Sequence, residues 1–474
     1  MTERAALVLD VGKTLSKLSL WDASGRRLAY SSRANDRVET GAYVALDADG
    51  IEDFVADTLS SFGRVAHIGS IITVGHGAAA ALVGDSGLLL PPLDYEHPIP
   101  GALRHQYDAE RDPFVHTGSP ALPDGLNLGA QLFYLQSTHP HLFGTHTRIL
   151  PWPQYWSWLL SGVAASEVTS LGSHTDLWRP LARAPSELSV KRGWSACMAP
   201  LRPAGSVLGT LRPEWVSRTG LSRDVQIYCG LHDSNAALLA ARAFPEFAEH
   251  ESTVLSTGTW FVAMRTPASH SVVDVGSLDE QRDCLVNVDA FGRPIPSSRF
   301  MGGREIELLT GIDTRRIDIR PDQPALLACV PEVLASNTLV LPTLAPGCGP
   351  FPHGRGRWIS MPDNETERRT AVCLYIALVA DAALDLVGAR ERLLIEGRFS
   401  ESEVFVRALA ALRPEMRVYV SHAQSDVSFG ALRLINPNLQ PESALVRVTP
   451  LAQDLKGYRQ RWRQEAERSE RNAA

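Results

Sequence analysis

The sequence predicts an α/β protein made of two duplicated domains, and three observations carry that expectation. Short apolar stretches of strand length alternate with stretches whose apolar residues recur at helical spacing, the pattern of layered sheet-and-helix folds. The 474 residues suffice for two domains, each with its own core. A strand, glycine turn and strand near the N-terminus also recur half a chain later. LVLDVGKT at 7–14 lies over TVLSTGTW at 253–260, with Gly12 on Gly258. A repeat that opens each half points to duplication, with domains at 1–243 and 244–474 flanking a central cleft.

The elements follow in order. Residues 5–10 are a continuous apolar strand, 15–21 pairs with it, and 27–32 follows the Asp22-Ala23-Ser24-Gly25 turn, giving a meander. Helical spacing over 51–62 predicts a helix, and 68–74 a buried strand ending at Gly75-His76-Gly77. A strand at 225–229 ends in Gly230, after which Asp233 opens an alanine-rich helix. The second half begins again with a hairpin at 253–265, then a strand at 284–288 turning at Gly292. A long helix over 367–387 precedes a strand at 393–396 stopped by Gly397, a helix over 401–412, a strand at 417–421 and a helix over 427–435. Residues 342–357, rich in Pro and Gly, read as an irregular loop. The stretch 453–472 reads as a terminal helix docked through Tyr458 and Trp462.

Composition narrows the function classes. The formal charge is −7, from 46 basic and 53 acidic residues, with no basic stripe, which argues against a nucleic-acid partner. No run of eighteen apolar residues occurs, and the apolar stretch at 5–9 is too short for a signal-peptide core, so the reading is cytoplasmic, without a membrane partner. Six cysteines without a CxxC pair suggest neither a zinc knot nor a disulfide framework. Lysines number only four, and two of them, Lys13 and Lys17, lie in the first hairpin. An ammonium is a compact point charge suited to phosphate.

Three segments carry the chemistry. In Asp10-Val11-Gly12-Lys13-Thr14 a strand ends in a carboxylate, and a glycine turn offers backbone N–H groups, a hydroxyl and an ammonium, a combination that suits an anion nest with a magnesium held through water. The same residues would also make an ordinary surface hairpin. Ser256-Thr257-Gly258-Thr259 is its counterpart, able to grip a phosphate chain from the other side, or merely a common turn. Asp233, after His232, is either a helix N-cap or a carboxylate placed to take a proton from a hydroxyl. The GxxxxGK[ST] pattern of P-loops is absent. His139, His141 and His146 have metal-like spacing but no carboxylate partner, and Trp152, Tyr155, Trp156 and Trp158 read as core.

In this order the segments resemble the FGGY family of carbohydrate kinases, within the actin-like ATPase (ribonuclease H-like) superfamily. WPQYWSWLLSG at 152–162, Glu167-Val168-Thr169-Ser170, Phe300-Met301-Gly302-Gly303, Ile395-Glu396-Gly397-Arg398 and the tail at 441–462 are similar to further family segments. The resemblance implies an α/β fold of two duplicated actin-like domains, the first on the sugar and phosphate side and the second on the nucleotide side. It implies ATP and Mg²⁺ as cofactors and a small sugar as substrate, with a homodimer among the admissible assemblies. Asp233 would be the general base. Gly12, Lys13, Thr14, Lys17, Thr257, Gly258, Thr259, Gly302, Gly303, Gly397 and Arg398 would bind ATP. Sugar contacts would fall to His76, Asp94, Glu96, His232 and Asp233, and metal contacts to Asp10 and Asp233. The chain departs from the family pattern where Lys13 is inserted between Gly12 and Thr14, where Gly397-Arg398 lacks the usual further glycines and asparagine, and where Asp94-Tyr95-Glu96-His97 replaces the usual sugar motif. The pattern is nearest the rhamnulose and fuculose kinases, which implies a ketopentose or 6-deoxyketohexose as substrate. A non-catalytic sugar or nucleotide sensor on the same scaffold is the alternative.

Overall fold

A computed structural model describes residues 4–313, 317–421 and 427–472. The chain divides into two units. Among the described residues the first contains 4–243, 286–294 and 427–441, and the second 244–285, 295–313, 317–421 and 442–472. Two segments that follow position 244 therefore pack with the first unit, one of them for a visible reason. The helix Val427–Ile435 presses Gly430 so closely onto the backbone of Ala236 that a β-carbon would clash with its carbonyl. The alanines of the helix that opens at Asp233 provide the flat surface this contact needs.

In the first unit, β1 (Ala5–Val11), β2 (Leu15–Trp21) and β3 (Arg27–Ala34) form an antiparallel meander. On its other edge β1 pairs in parallel with β4 (Ile68–Gly75), which is wholly buried and reads as an unbroken apolar run. Beyond it lie β5 (Val207–Thr210), β6 (Gln226–Tyr228) and β7 (Leu231–His232), with β6 and β7 both parallel to β4. Helix α1 (Ala48–Phe62) buries Ile51, Val55, Leu59 and Phe62, and Asp47 caps it by accepting from the Gly50 N–H. Helix α2 (Trp152–Ser161) buries Trp152 and Trp156 completely and ends at Gly162 in the left-handed conformation. Helix α3 (Asp233–Ala241) begins where β7 stops.

The second unit repeats the arrangement. β8 (Ser252–Thr257) and β9 (Phe261–Thr266) form a hairpin, and β10 (Pro294–Phe300) pairs antiparallel with β9. β11 (Arg392–Gly397) and β12 (Arg417–Val420) run parallel on the far side of β8. The order β10-β9-β8-β11-β12 matches β3-β2-β1-β4-β6, with the same parallel and antiparallel pairings. Helices α4 (Gly302–Thr310), α5 (Glu365–Leu386), α6 (Glu403–Leu412) and α7 (Lys456–Arg471) complete the unit.

Buried on most sides, α5 carries Asp381 in its interior. That carboxylate takes Arg413 Nε at 2.7 Å, Arg459 Nε at 2.7 Å and Arg463 Nη2 at 2.6 Å, tying α5 to the end of α6 and to α7. Helix α7 docks through Tyr458, whose hydroxyl donates to Thr338 O, and Trp462, whose Nε1 donates to Val340 O. Glu305 holds the loop after Leu341 by accepting from the N–H groups of Leu344 and Ala345, while Tyr375 Oη donates to its other oxygen. Among the described residues no helix is long and apolar enough to cross a membrane.

Candidate functional site

Three neighbouring parallel strands of the first unit end together. Val11 pairs with Gly75, and Gly75 with His232, so the turns after β1, β4 and β7 lie side by side at the carboxyl edge of the sheet. Crevices at such edges are where open α/β sheets bind ligands. The Gly12 hairpin, Gly75-His76-Gly77 and His232-Asp233 meet there.

Asp233 is the first residue of α3, and the N-cap position belongs to His232. Its Oδ1 accepts from the N–H of Ser234 at 2.6 Å and lies 3.3 Å from His232 Nε2. With about a third of its side chain exposed, the carboxylate is both anchored and reachable. His232 is fixed from several directions. Its backbone N–H donates to Thr169 Oγ1 at 3.0 Å, Nδ1 lies 3.4 Å from Asn235 Nδ2, and Nε2 lies 3.4 Å from Ser173 Oγ. With Asn235 donating to Nδ1, Nε2 carries the ring proton toward Asp233. Gly77 leaves room for this ring, since a β-carbon there would sit 2.7 Å from His232 Nε2. Burial lowers the His232 pKa, against the opposing charge of Asp233. Burial likewise pushes His76 down to about 4, opposed by the Gly77 carbonyl and Asp233 and aided by Lys13 and His232. Both imidazoles are neutral at pH 7.

The first hairpin turn is one residue longer than its counterpart. Val11 pairs with Ser16 and the turn closes by Gly12 N–H to Leu15 O, whereas Thr257 pairs with Phe261 and closes by Gly258 N–H to Trp260 O. The longer turn sends Lys13 toward the segment after Leu93. Lys13 Nζ forms an ion pair with Asp94 and stands 4.7 Å from the centre of the Tyr95 ring. Asp94 is fully buried: Arg37 Nε lies 3.2 Å from its Oδ2, and its Oδ1 accepts from the Glu96 N–H at 2.9 Å. Glu96 is exposed and pairs with Arg37. Asp10 is buried, with Lys17 Nζ 3.1 Å from its Oδ2, and Thr14 is exposed at the turn.

The second unit gathers the other sequence candidates around one turn. Gly303 lies so close to the Gly258 carbonyl that no β-carbon would fit, which sets the start of α4 on the β8–β9 turn. Thr257 pairs with Gly397, and its hydroxyl donates to Glu396 O at 2.5 Å and accepts from the Phe399 N–H at 3.1 Å. That hydroxyl is engaged within the fold, and the exposed Thr259 is the one that faces outward. The Arg398 guanidinium lies 5.8 Å from the Phe399 ring centre. Beside this turn an apolar pocket is lined by Ile306, Thr310, Cys373, Ile376, Phe399 and Phe405. Glu396 is buried, and burial lifts its carboxyl to about 7 against a hydrogen bond from Ser256.

Comparison with known proteins decides the family. Residues 249–443 match the model of the carbohydrate kinase FGGY C-terminal domain. The crystal structure of a carbohydrate kinase from Novosphingobium aromaticivorans is 55% identical over 99% of this chain and 100% of that one, with a TM-score of 0.94. The chain belongs to the FGGY family of carbohydrate kinases. Its fold is accordingly the actin-like ATPase fold of that family. A rhamnulokinase from Oceanobacillus iheyensis is 31% identical over 137 residues, 27% of either chain. L-fuculokinase from Escherichia coli K12 is 25% identical over 302 residues, 61% of this chain and 62% of that one. The match thus spans about a quarter and about three-fifths of the lengths of these two curated relatives.

Sequence reasoning did not single out several groups around these candidates. Thr169, inside the quoted 167–170 segment, and Asn235, just after Asp233, fix His232 together with Ser173, and Arg37 pairs with Asp94 and Glu96; no spacing links Ser173 or Arg37 to the motifs. Gly77 was legible as the third residue of Gly75-His76-Gly77, but its reason, the approach of a distant histidine, was not. A magnesium that keeps its waters and takes phosphate oxygens needs only one or two carboxylates from protein. The donor set of Asp10 and Asp233 fits that demand, and no cage of three or more ligating side chains occurs among the described residues.

Proposed function

We propose that this chain is an ATP-dependent kinase that phosphorylates a hydroxyl of a small neutral ketose, a ketopentose or 6-deoxyketohexose, in the cytoplasm. The observation that carries the reading is Asp233 at the shared strand edge, anchored by His232 and Ser234 yet a third exposed, in a chain 55% identical to a carbohydrate kinase. Asp233 takes the proton of the attacking hydroxyl as the new O–P bond to the γ-phosphorus forms and the bond from that phosphorus to the β,γ-bridging oxygen breaks, releasing ADP. His232, neutral and holding its proton on Nε2, keeps the carboxylate oriented. His76 lines the sugar side. The backbone N–H and hydroxyl of Thr14, with Lys17, are donors for phosphate oxygens on the first unit, and Gly12 shapes the turn that presents them. Gly258, Thr259, Gly302, Gly303, Gly397 and Arg398 line the nucleotide face of the second, with the base in the apolar pocket beside Phe399. Asp10 and Asp233 would hold Mg²⁺, which when bound neutralises phosphate charge. The similarity of part of this chain to a rhamnulokinase and an L-fuculokinase supports a ketose.

The test is ADP release across a panel of ketoses, aldoses, polyols and sugar acids. Turnover with one or a few ketoses is the expected result. ATP binding with no ADP formed on any member would sink the kinase reading in favour of a sensor.

A further inference from the structure

Lys13 stands apart from the other cations of the first hairpin. It lies in the turn that exceeds its counterpart by one residue, and its side chain is only 14% exposed. Its partners are Asp94 and the Tyr95 ring, and Tyr95 meets His76 edge-on at 5.8 Å between ring centres. The Lys13 charge is felt at His76, as is that of Asp233. Lys13 therefore lies on the side of the site occupied by His76, the side assigned above to the sugar.

Asp94, for its part, has no surface left for a ligand. Lys13 and Arg37 take one oxygen, the Glu96 N–H takes the other, and the side chain is fully buried. A buried carboxylate so enclosed serves to hold its cation charged and in place. Two cations, Lys13 and Arg37, balance two carboxylates, Asp94 and Glu96, so the cluster offers no net attraction for an anion. An ammonium has three N–H donors, and the ion pair to Asp94 leaves donors for neutral acceptors.

We infer that Lys13, fixed by Asp94, contacts the sugar beside His76 and sets which hydroxyl pattern is accepted, in place of the phosphate role its position in the hairpin suggests. The inference rests on the kinase reading above and deepens it: Asp94 acts through Lys13 as a positioning residue, and the group Lys13 reads is an uncharged hydroxyl.

The experiment is steady-state kinetics of Lys13→Met and Lys13→Arg with the ketose that the unaltered protein turns over fastest, and with the full panel. Losing a charge-assisted hydrogen bond to the sugar raises the sugar KM about ten-fold or more in Lys13→Met, with the ATP KM within about two-fold. Lys13→Arg keeps the charge and the Asp94 pair but changes reach and shape, and is expected to reorder sugar preference. Should Lys13→Met not fold, as judged by its thermal melt, the arginine variant decides alone. A rise in ATP KM with sugar KM and preference unchanged overturns the inference while leaving the kinase reading intact, and so does no change in either. No ADP from any sugar with the unaltered protein removes the kinase reading itself.

Discussion

Replacing Glu167 by glutamine should flatten part of this protein's dependence on pH. Glu167 is completely buried and caps the short helix Val168–Leu171. Its Oε2 accepts from the Thr169 N–H at 2.9 Å, from Thr169 Oγ1 at 2.5 Å and from the Ser170 N–H at 3.3 Å, while Oε1 has no hydrogen-bond partner among the described residues. Burial lifts the carboxyl from 4.5 to about 7 despite those bonds, with the charge of Asp289 adding to the rise. An acid raised in the fold is held there in its neutral form. Its contribution to stability is therefore complete below about pH 4.5, is lost as pH rises toward about 7, and stays lost above that. A shift of about 2.5 units at about 1.4 kcal/mol each amounts to about 3.5 kcal/mol. Glutamine never ionises and can still accept from Thr169. Urea unfolding of both proteins at about pH 5 and about pH 8 provides the assay. The expected result is that the variant gains about 2 to 3 kcal/mol on the unaltered protein between those conditions. Glu396 titrates in the same window, so the difference between the two proteins, and not either curve alone, isolates Glu167. Parallel stability curves for the two proteins would refute the reasoning.

Four further outcomes can be checked. Asp233→Asn removes the proton acceptor and should lower kcat by at least about a hundred-fold with nucleotide binding retained by calorimetry, since general-base contributions run to about 10²–10⁴. Asp10→Ala should weaken Mg²⁺-dependent ATP binding and turnover together, and an unchanged magnesium titration of activity would count against its metal role. In Gly77→Ala the new methyl pushes His232 away from Asp233, so kcat should fall steeply while the protein still unfolds cooperatively by circular dichroism. Asp381→Ala leaves Arg413, Arg459 and Arg463 with Asp385 as their shared partner and should cost about 3 kcal/mol in denaturant melts, the lower end of the scale for breaking a buried ion pair.

How much could be read in advance varies with the distance between interacting residues. Strands with unbroken apolar runs, such as Ile68–Gly75, and helices with regular apolar spacing, such as Ala48–Phe62, declare themselves because the burial that makes them is periodic along the chain. The repeated glycine turns were visible for the same reason, as local patterns that recur. Helix α3 shows the boundary. Its alanines announced a close packing surface, but its partner, Gly430, lies nearly two hundred residues away and could not be named.

Residue order alone was enough for the α/β architecture and the duplicated hairpins, since each depends on composition or spacing within a few residues. Folding decided the rest: that His232, Ser173 and Gly77 crowd together, that the Thr257 hydroxyl is consumed inside the second unit, and that Lys13 turns to Asp94. Those outcomes depend on which strand ends are brought abreast in a sheet, and electrostatic pairing and exclusion of volume act through space between groups that the chain leaves far apart.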